Sequence, residues 1–201
     1  MIKDRPNRYS LWFYSSWFRV LQKLFFRRIQ IINQDVFVES KSVLLLQNHF
    51  SYYDGFWSML LCQKVFHRQF HVMMLEEQLR KRMFLTRCGA FSVRKNSRDL
   101  MESIHYAKAL LQNSRNVVTI YPSGEIVSQH QQHFSFEQGF SRLAGEKNVQ
   151  IAFAVVLTDY FSEARPEIRI YVENFRGEIS AKAIENAYHT FYQSCILKQM
   201  E

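Results

Sequence analysis

With 201 residues, 47% of them apolar, the chain is long enough to bury one sizeable core and too apolar to be disordered. A formal charge of +8 points to a phosphate-bearing partner: nucleic acid, anionic lipid or an acidic small molecule. Three scattered cysteines, Cys62, Cys88 and Cys195, are odd in number and lack ligand spacing. They suggest buried free thiols in a reducing compartment rather than a disulfide frame. The polar start Met1-Ile2-Lys3-Asp4-Arg5-Pro6 has no apolar run and small-residue cleavage site after it, so no signal peptide is expected.

Residues 8–28 read as an amphipathic helix. Leu11, Phe13, Tyr14, Trp17, Phe18, Val20, Leu21, Leu24 and Phe25 share about half of its circumference, with Trp12 and Phe26 intruding on the cationic half. Arg19, Gln22 and Lys23 at its middle argue against a membrane-spanning helix. Its composition suits a membrane interface, with Trp12, Phe13, Trp17, Phe18, Leu21 and Phe25 as membrane contacts; packing on a sheet is the other reading.

Residues 29–38 and 42–46 read as strands, with a break at Asn33-Gln34-Asp35. A helix over 55–66 follows, with Phe56, Met59, Leu60 and Val65 inward. Then come a strand over 70–75, a basic helix or turn over 76–87, and a strand over 90–93. Residues 99–113 form an amphipathic helix with Leu100, Ile104, Ala107 and Leu111 inward. The strand 116–121 stops at the turn Pro122-Ser123-Gly124-Glu125. After a polar loop at 128–133 come a short helical stretch (136–145), strands at 149–157 and 168–172, and a closing helix at 180–198. This alternation predicts an α/β fold, a mixed, mainly parallel sheet flanked by helices, in a single domain spanning 1–201.

The stretch Leu44-Leu45-Leu46-Gln47-Asn48-His49-Phe50-Ser51-Tyr52-Tyr53-Asp54-Gly55 carries the chemistry. If a strand ends near Gln47 and a helix begins near Tyr53, His49 and Asp54 share one tight connection. A neutral imidazole can take a proton from a hydroxyl, and a carboxylate on its other nitrogen fixes the tautomer and steadies the imidazolium. The same residues also suit a plain helix start, with Ser51 and Asp54 as caps and His49 as a satisfied loop histidine. Spacing alone leaves both readings open.

Four blocks in order resemble the glycerolipid acyltransferase superfamily, typified by 1-acylglycerol-3-phosphate acyltransferases. Asn48-His49-Phe50-Ser51-Tyr52-Tyr53-Asp54-Gly55 is similar to its His-x4-Asp motif, and Gly89-Ala90-Phe91-Ser92-Val93-Arg94 to its strand ending in arginine. Tyr121-Pro122-Ser123-Gly124-Glu125 is similar to its Phe-Pro-Glu-Gly-Thr turn, and Ile151-Ala152-Phe153-Ala154-Val155-Val156 to its late strand. Phe136-Glu137-Gln138-Gly139 resembles the Phe-Lys-x-Gly that follows the turn. The likeness covers roughly residues 40–160, the expected catalytic core.

The resemblance implies an O-acyltransferase of lipid metabolism and phospholipid biosynthesis. His49 would act as general base on an acceptor hydroxyl and Asp54 would orient it. The hydroxyl would attack the thioester of acyl-CoA or acyl carrier protein, with no cofactor, metal or covalent intermediate. Backbone N–H groups near Gly124 would receive the oxyanion. Arg94, with Lys95 and Arg98, would bind phosphate, and Ser123, Gly124 and Glu125 would contact the acceptor. The expected location is the cytoplasmic face of a membrane, peripheral or monotopic, with the lipid surface as partner.

The turn departs from the family. Ser123 replaces its glutamate, Glu125 its threonine, and Ile126 the arginine that commonly follows; Phe153 and Ala154 stand where the late strand has proline. Losing a carboxylate and a cation implies a changed acceptor: another lysophospholipid, or a non-phosphate lipid such as a glycosylated isoprenoid or an acylated sugar. A non-enzymatic peripheral membrane protein on this fold is the rival from another class. Nucleic-acid binding is suggested by charge alone and is not expected, because the aromatics lie in one amphipathic helix rather than among the basic residues. His130-Gln131-Gln132-His133 has metal-like spacing but no third ligand, so no metal is expected. His67 and His71 flank a strand start and are read as chemically silent.

Overall fold

The computed structural model describes residues 1–33, 35–94, 97–131 and 134–200. Seven strands form one sheet: β1 (Arg28–Asn33), β2 (Ser42–Gln47), β3 (Gln69–Leu75), β4 (Ala90–Val93), β5 (Asn116–Ile120), β6 (Val149–Asp159) and β7 (Glu167–Asn174), in the order β1-β7-β6-β2-β5-β3-β4. Every neighbouring pair is parallel except β6 with β7, which is antiparallel. The five strands from β6 to β4 therefore point their C-terminal ends to one edge. The sheet is the mixed, mainly parallel sheet that the helix–strand alternation predicts. Its central strands read as continuous apolar runs because both faces are covered: every residue of β2 and β5 is buried.

Helix α1 (Arg8–Phe25) and α2 (Asp54–Leu61), which runs into a π-helical turn at Cys62–Phe66, cover one face. The short α3 (Glu76–Arg80) and a 3₁₀ turn (Met83–Cys88) lead from β3 to β4. On the other face lie α4 (Ser97–Leu111), α5 (Ser141–Ala144) and α6 (Ala181–Met200). Gly89 ends the 3₁₀ turn at φ +106°, and a Cβ there would meet the Phe70 carbonyl oxygen at 2.2 Å, so β4 can approach β3 only through glycine.

Three expectations are corrected. The first strand begins at Arg28 and stops at Asn33, so the amphipathic helix is shorter than 8–28; Asn7 caps it by accepting the Tyr9 and Ser10 amides, and Phe26 leaves it in extended conformation. The inward face of α2 is rotated: Met59 is buried as expected, but Trp57 and Leu61 fill the core while Phe56, Leu60 and Val65 are only partly covered. The third concerns α1. Phe18 is 2% exposed, stacked on Phe56 at 4.4 Å and edge-on to Trp57, and Leu21 packs partly buried against the same core. Phe18 is therefore not a surface contact, while Leu21 keeps part of its surface open. Trp12, Phe13, Trp17 and Phe25 are exposed, together with Tyr9, Val20 and Leu24. The helix is apolar on two sides, one spent on the core and one left on the surface, and a single hydrophobic arc merges them.

Candidate active site

β2 ends at Gln47 and α2 begins at Asp54, and the six residues between them fold around the Asp54 carboxylate. Its Oδ2 accepts the Phe50 amide at 2.7 Å, the Ser51 amide at 2.8 Å and His49 Nδ1 at 2.6 Å; Oδ1 accepts the Ser51 hydroxyl at 2.8 Å. The carboxylate is fully buried in the first turn of α2, where the helix dipole favours negative charge. Two backbone donors on Oδ2 make it an acceptor, so Nδ1 carries the imidazole proton and Nε2 presents its lone pair. The His49 side chain is 25% exposed, enough for a substrate hydroxyl to reach Nε2.

The surroundings hold this geometry. The Asn48 amide bonds both the amide and the carbonyl of Val156, fixing the end of β2 to β6. The buried Ser58 hydroxyl donates to Gln47 Oε1 or to the Asp54 carbonyl and lies 3.2 Å from the Tyr121 hydroxyl. The Tyr121 ring stacks on His49 with centroids 4.3 Å apart, and the Val127 amide donates to the His49 carbonyl. Burial, with the Asp54 charge adding, pushes the Tyr121 phenol well up, so it stays a neutral donor.

The turn after β5 is thus brought to the imidazole. Its Gly124 stands at φ +67°, where a Cβ would meet the Glu137 side chain at 2.7 Å. The Glu137 amide donates to the Pro122 carbonyl, so the segment after the turn packs back on it. The Gly124 N–H donates to the Tyr121 carbonyl at 3.0 Å, so this donor closes the turn rather than facing a developing oxyanion. The Ser123 hydroxyl donates to the Glu125 carbonyl, and Glu125 is exposed.

Arg94 is not gathered with them. It follows β4, and β5 and β3 lie between that strand and β2, a lateral separation of about 14 Å. Its guanidinium is tied to two carboxylates, Glu76 at 2.6 Å and Asp99 at 2.9 Å. Glu76, 4% exposed, also accepts from Arg80 and Ser92. The Arg94 hydrogen bond, reinforced by Arg80 and Ser92, holds its carboxyl down to about 2 against the cost of burial. Sequence reading missed Glu76 because an acidic pair, Glu76-Glu77, opening a basic segment resembles a helix start. Lys95 and His133 lie outside the described residues, as does the side chain of Arg98. His130 is exposed, and no three metal-binding side chains come together among the described residues.

A second imidazole–carboxylate pair lies in the core. His71 on β3 meets Asp4 through Nδ1 at 2.5 Å, and the Tyr106 hydroxyl donates to the other oxygen of Asp4. Both side chains are sealed, and His71 Nε2 is buried without a hydrogen-bond partner. Nothing in the sequence announces it, since its members lie 67 positions apart.

A parallel-stranded α/β core with an oriented imidazole at the C-terminal strand edge defines a class of enzyme-like folds whose ligands bind outside those strand ends. The acyltransferase family model matches residues 28–156, more than half of the chain, and the protein belongs to this family. Its fold is similar to the crystal structure of the 1-acyl-sn-glycerophosphate (LPA) acyltransferase PlsC from Thermotoga maritima. The TM-score is 0.63 at 12% identity, covering 94% of this chain and 79% of that one. Among curated protein sequences none matches.

Proposed function

We propose that this acyltransferase moves a fatty acyl group from a thioester, acyl-CoA or acyl carrier protein, to a hydroxyl of a lysolipid-type acceptor at a membrane surface. The observation that carries the reading is the 2.6 Å Nδ1–carboxylate bond, which leaves Nε2 of the 25% exposed ring as a base. His49 Nε2 takes the acceptor proton as the hydroxyl oxygen attacks the thioester carbonyl carbon, and the buried Asp54 carboxylate stabilises the imidazolium. The C–S bond then breaks and the imidazolium returns the proton to the departing thiolate. PlsC, similar in fold, acts on a lysophosphatidate, which supports a lysolipid acceptor here.

The exposed aromatic side of α1 supports a peripheral position on the membrane, with the cytoplasmic face as the proposed location. No helix among the described residues is long and apolar enough to cross a bilayer.

The test is thioester consumption by vesicle-bound protein, with acyl-CoA and acyl carrier protein as donors and a panel of lipid hydroxyl acceptors. Acceptor-dependent thiol release that disappears in His49→Ala is expected. Thiol release unchanged in that variant would overturn the assigned base.

One observation favours a second reading of the acceptor. Arg94, the cation expected on phosphate, spends both Nη atoms on Glu76 and Asp99, and the turn carries Ser123 and Ile126 in place of the family's charged residues. This arrangement suits an acceptor hydroxyl without a phosphate beside it. The double substitution Ser123→Glu with Glu125→Thr is expected to raise lysophosphatidate use relative to uncharged acceptors. An unchanged preference would sink the idea that the turn sets acceptor choice.

A further inference from the structure

The exposed side of α1 does not end at the helix. Tyr14 stacks on Phe84 of the 3₁₀ turn with centroids 5.2 Å apart. Met83 and Phe84 are 50% and 42% exposed, a large apolar surface for a short turn. The two elements are joined rigidly as well, because the Arg5 amide donates to the Thr86 carbonyl and the Asn7 amide to the Arg87 carbonyl. Beside this apolar patch Arg80, Lys81 and Arg87 are exposed, and Glu77 is the one exposed carboxylate between Glu76 and Cys88. Lys81 and Arg87 make no ion pair among the described residues. The Arg82 guanidinium lies over the ring of Tyr52, which is 67% exposed in the loop that holds His49 and Asp54.

We infer that the turn Met83–Cys88 is a second membrane contact, continuous with α1, that binds an anionic phospholipid bilayer with Met83 and Phe84 inserted and Lys81 and Arg87 on headgroup phosphates. The inference rests on the interfacial reading of α1 and extends it to residues with no role in that reading. Half-exposed Met and Phe beside unpaired cations match the chemistry of the headgroup boundary, where apolar side chains enter the acyl region and lysine and arginine remain among phosphates. An acidic carrier protein would meet the cations but would not need the apolar side chains. The Arg82–Tyr52 contact ties this turn to the catalytic loop, so the bilayer would lie beside the loop through which a lipid acceptor reaches His49.

The experiment uses the full chain and vesicles of phosphatidylglycerol or phosphatidylcholine. The native cysteines are all buried, so Met83→Cys supplies one accessible thiol for an environment-sensitive dye. The dye emission is expected to shift to the blue with phosphatidylglycerol vesicles. Met83→Ser with Phe84→Ser is expected to lower vesicle partitioning about a hundredfold, since each buried side chain contributes on the order of a tenfold factor. Lys81→Gln with Arg87→Gln is expected to lower it about fivefold per charge on anionic vesicles, with the difference fading at high salt.

A dye that stays in water while the protein sediments with vesicles overturns the inference and leaves α1 as the contact. A dye that responds to acyl carrier protein and not to vesicles overturns it in favour of a protein partner. Failure of the unaltered chain to bind either vesicle, or full binding by Trp12→Ser with Trp17→Ser, overturns the interfacial reading of α1 itself.

Discussion

The molecule contains two imidazole–carboxylate pairs of nearly the same geometry, and only one of them is placed to do chemistry. His49 and Asp54 meet at 2.6 Å and His71 and Asp4 at 2.5 Å, each through Nδ1. Asp54 opens α2, and the loop before it supplies three further hydrogen bonds, at the strand edge where the His49 ring meets solvent. Asp4 is sealed with His71 between β3 and α4, and its other oxygen receives Tyr106. A base needs a lone pair within reach of a substrate. The first ring is 25% exposed, and in the second Nε2 ends inside the core without a partner. Under the proposed mechanism, therefore, a dyad alone is not enough; it needs a ring that a substrate can reach.

Substitutions that separate these roles break the comparison most strongly. His49→Ala is expected to cost about 10²–10⁴ in turnover with little change in melting temperature, because the side chain is partly exposed and its loss leaves Asp54 with its other donors. Asp54→Asn is expected to cost on the order of 10² or more: an amide nitrogen among N–H donors must either repel them or turn its oxygen inward and release the imidazole tautomer. Initial rates per folded protein, with thermal melts alongside, check both. His71→Ala should do the reverse. It strands a buried carboxylate with the Tyr106 hydroxyl as its remaining side-chain partner, a loss of roughly 3–5 kcal/mol, while the rate per folded molecule stays within about twofold. Apolar replacement of His71 and Asp4 together should recover much of that stability. A His71→Ala enzyme that is stable and inactive would mean that the sealed pair takes part in turnover.

The contrast also explains what the sequence could show. Asp54 lies five positions from His49, and a strand-to-helix connection brings such a pair together by local geometry, so the motif could be read directly. The parallel core was legible for a similar reason: buried strands such as Val117-Val118-Thr119-Ile120 carry their burial in composition. Asp4 finds His71 only through the tertiary fold. Glu76 gathers Ser92 and Arg94 in the same non-local way, beside its i,i+4 partner Arg80, so Arg94 could be read as a motif position but not as a cation already engaged. Phe18 failed for another reason. Two apolar sides of one helix overlap in projection, and only packing against Phe56 and Trp57 divides them.

The Glu76 cluster sharpens the comparison through pH. Its carboxyl is held down to about 2 from a usual 4.5, chiefly by Arg94. A carboxyl depressed in the folded state binds its proton more readily when unfolded. Its stabilisation is therefore complete above about pH 4.5 and is lost as pH falls towards 2. Glu76→Gln should lower stability at neutral pH and flatten this acid limb, as read by denaturant midpoints across pH 2–6. An acid limb of unchanged steepness would assign the loss to other carboxylates.

The smallest effect tests how His49 is held from the side. Tyr121 offers it a stacked ring and offers Ser58 a hydroxyl. Tyr121→Phe keeps the ring and removes one hydrogen bond, for which about 1 kcal/mol of stability and less than threefold in rate are expected. Tyr121→Ala removes the ring and lets the imidazole tilt about its bond to Asp54, for which about a tenfold fall in rate is expected, since misplacement of a base weakens proton transfer without abolishing it. Equal rates for the two variants would show that the bond to Asp54 orients His49 without help. A Phe variant as slow as Ala would shift the role to the hydroxyl and to the buried Gln47–Ser58 link beneath it.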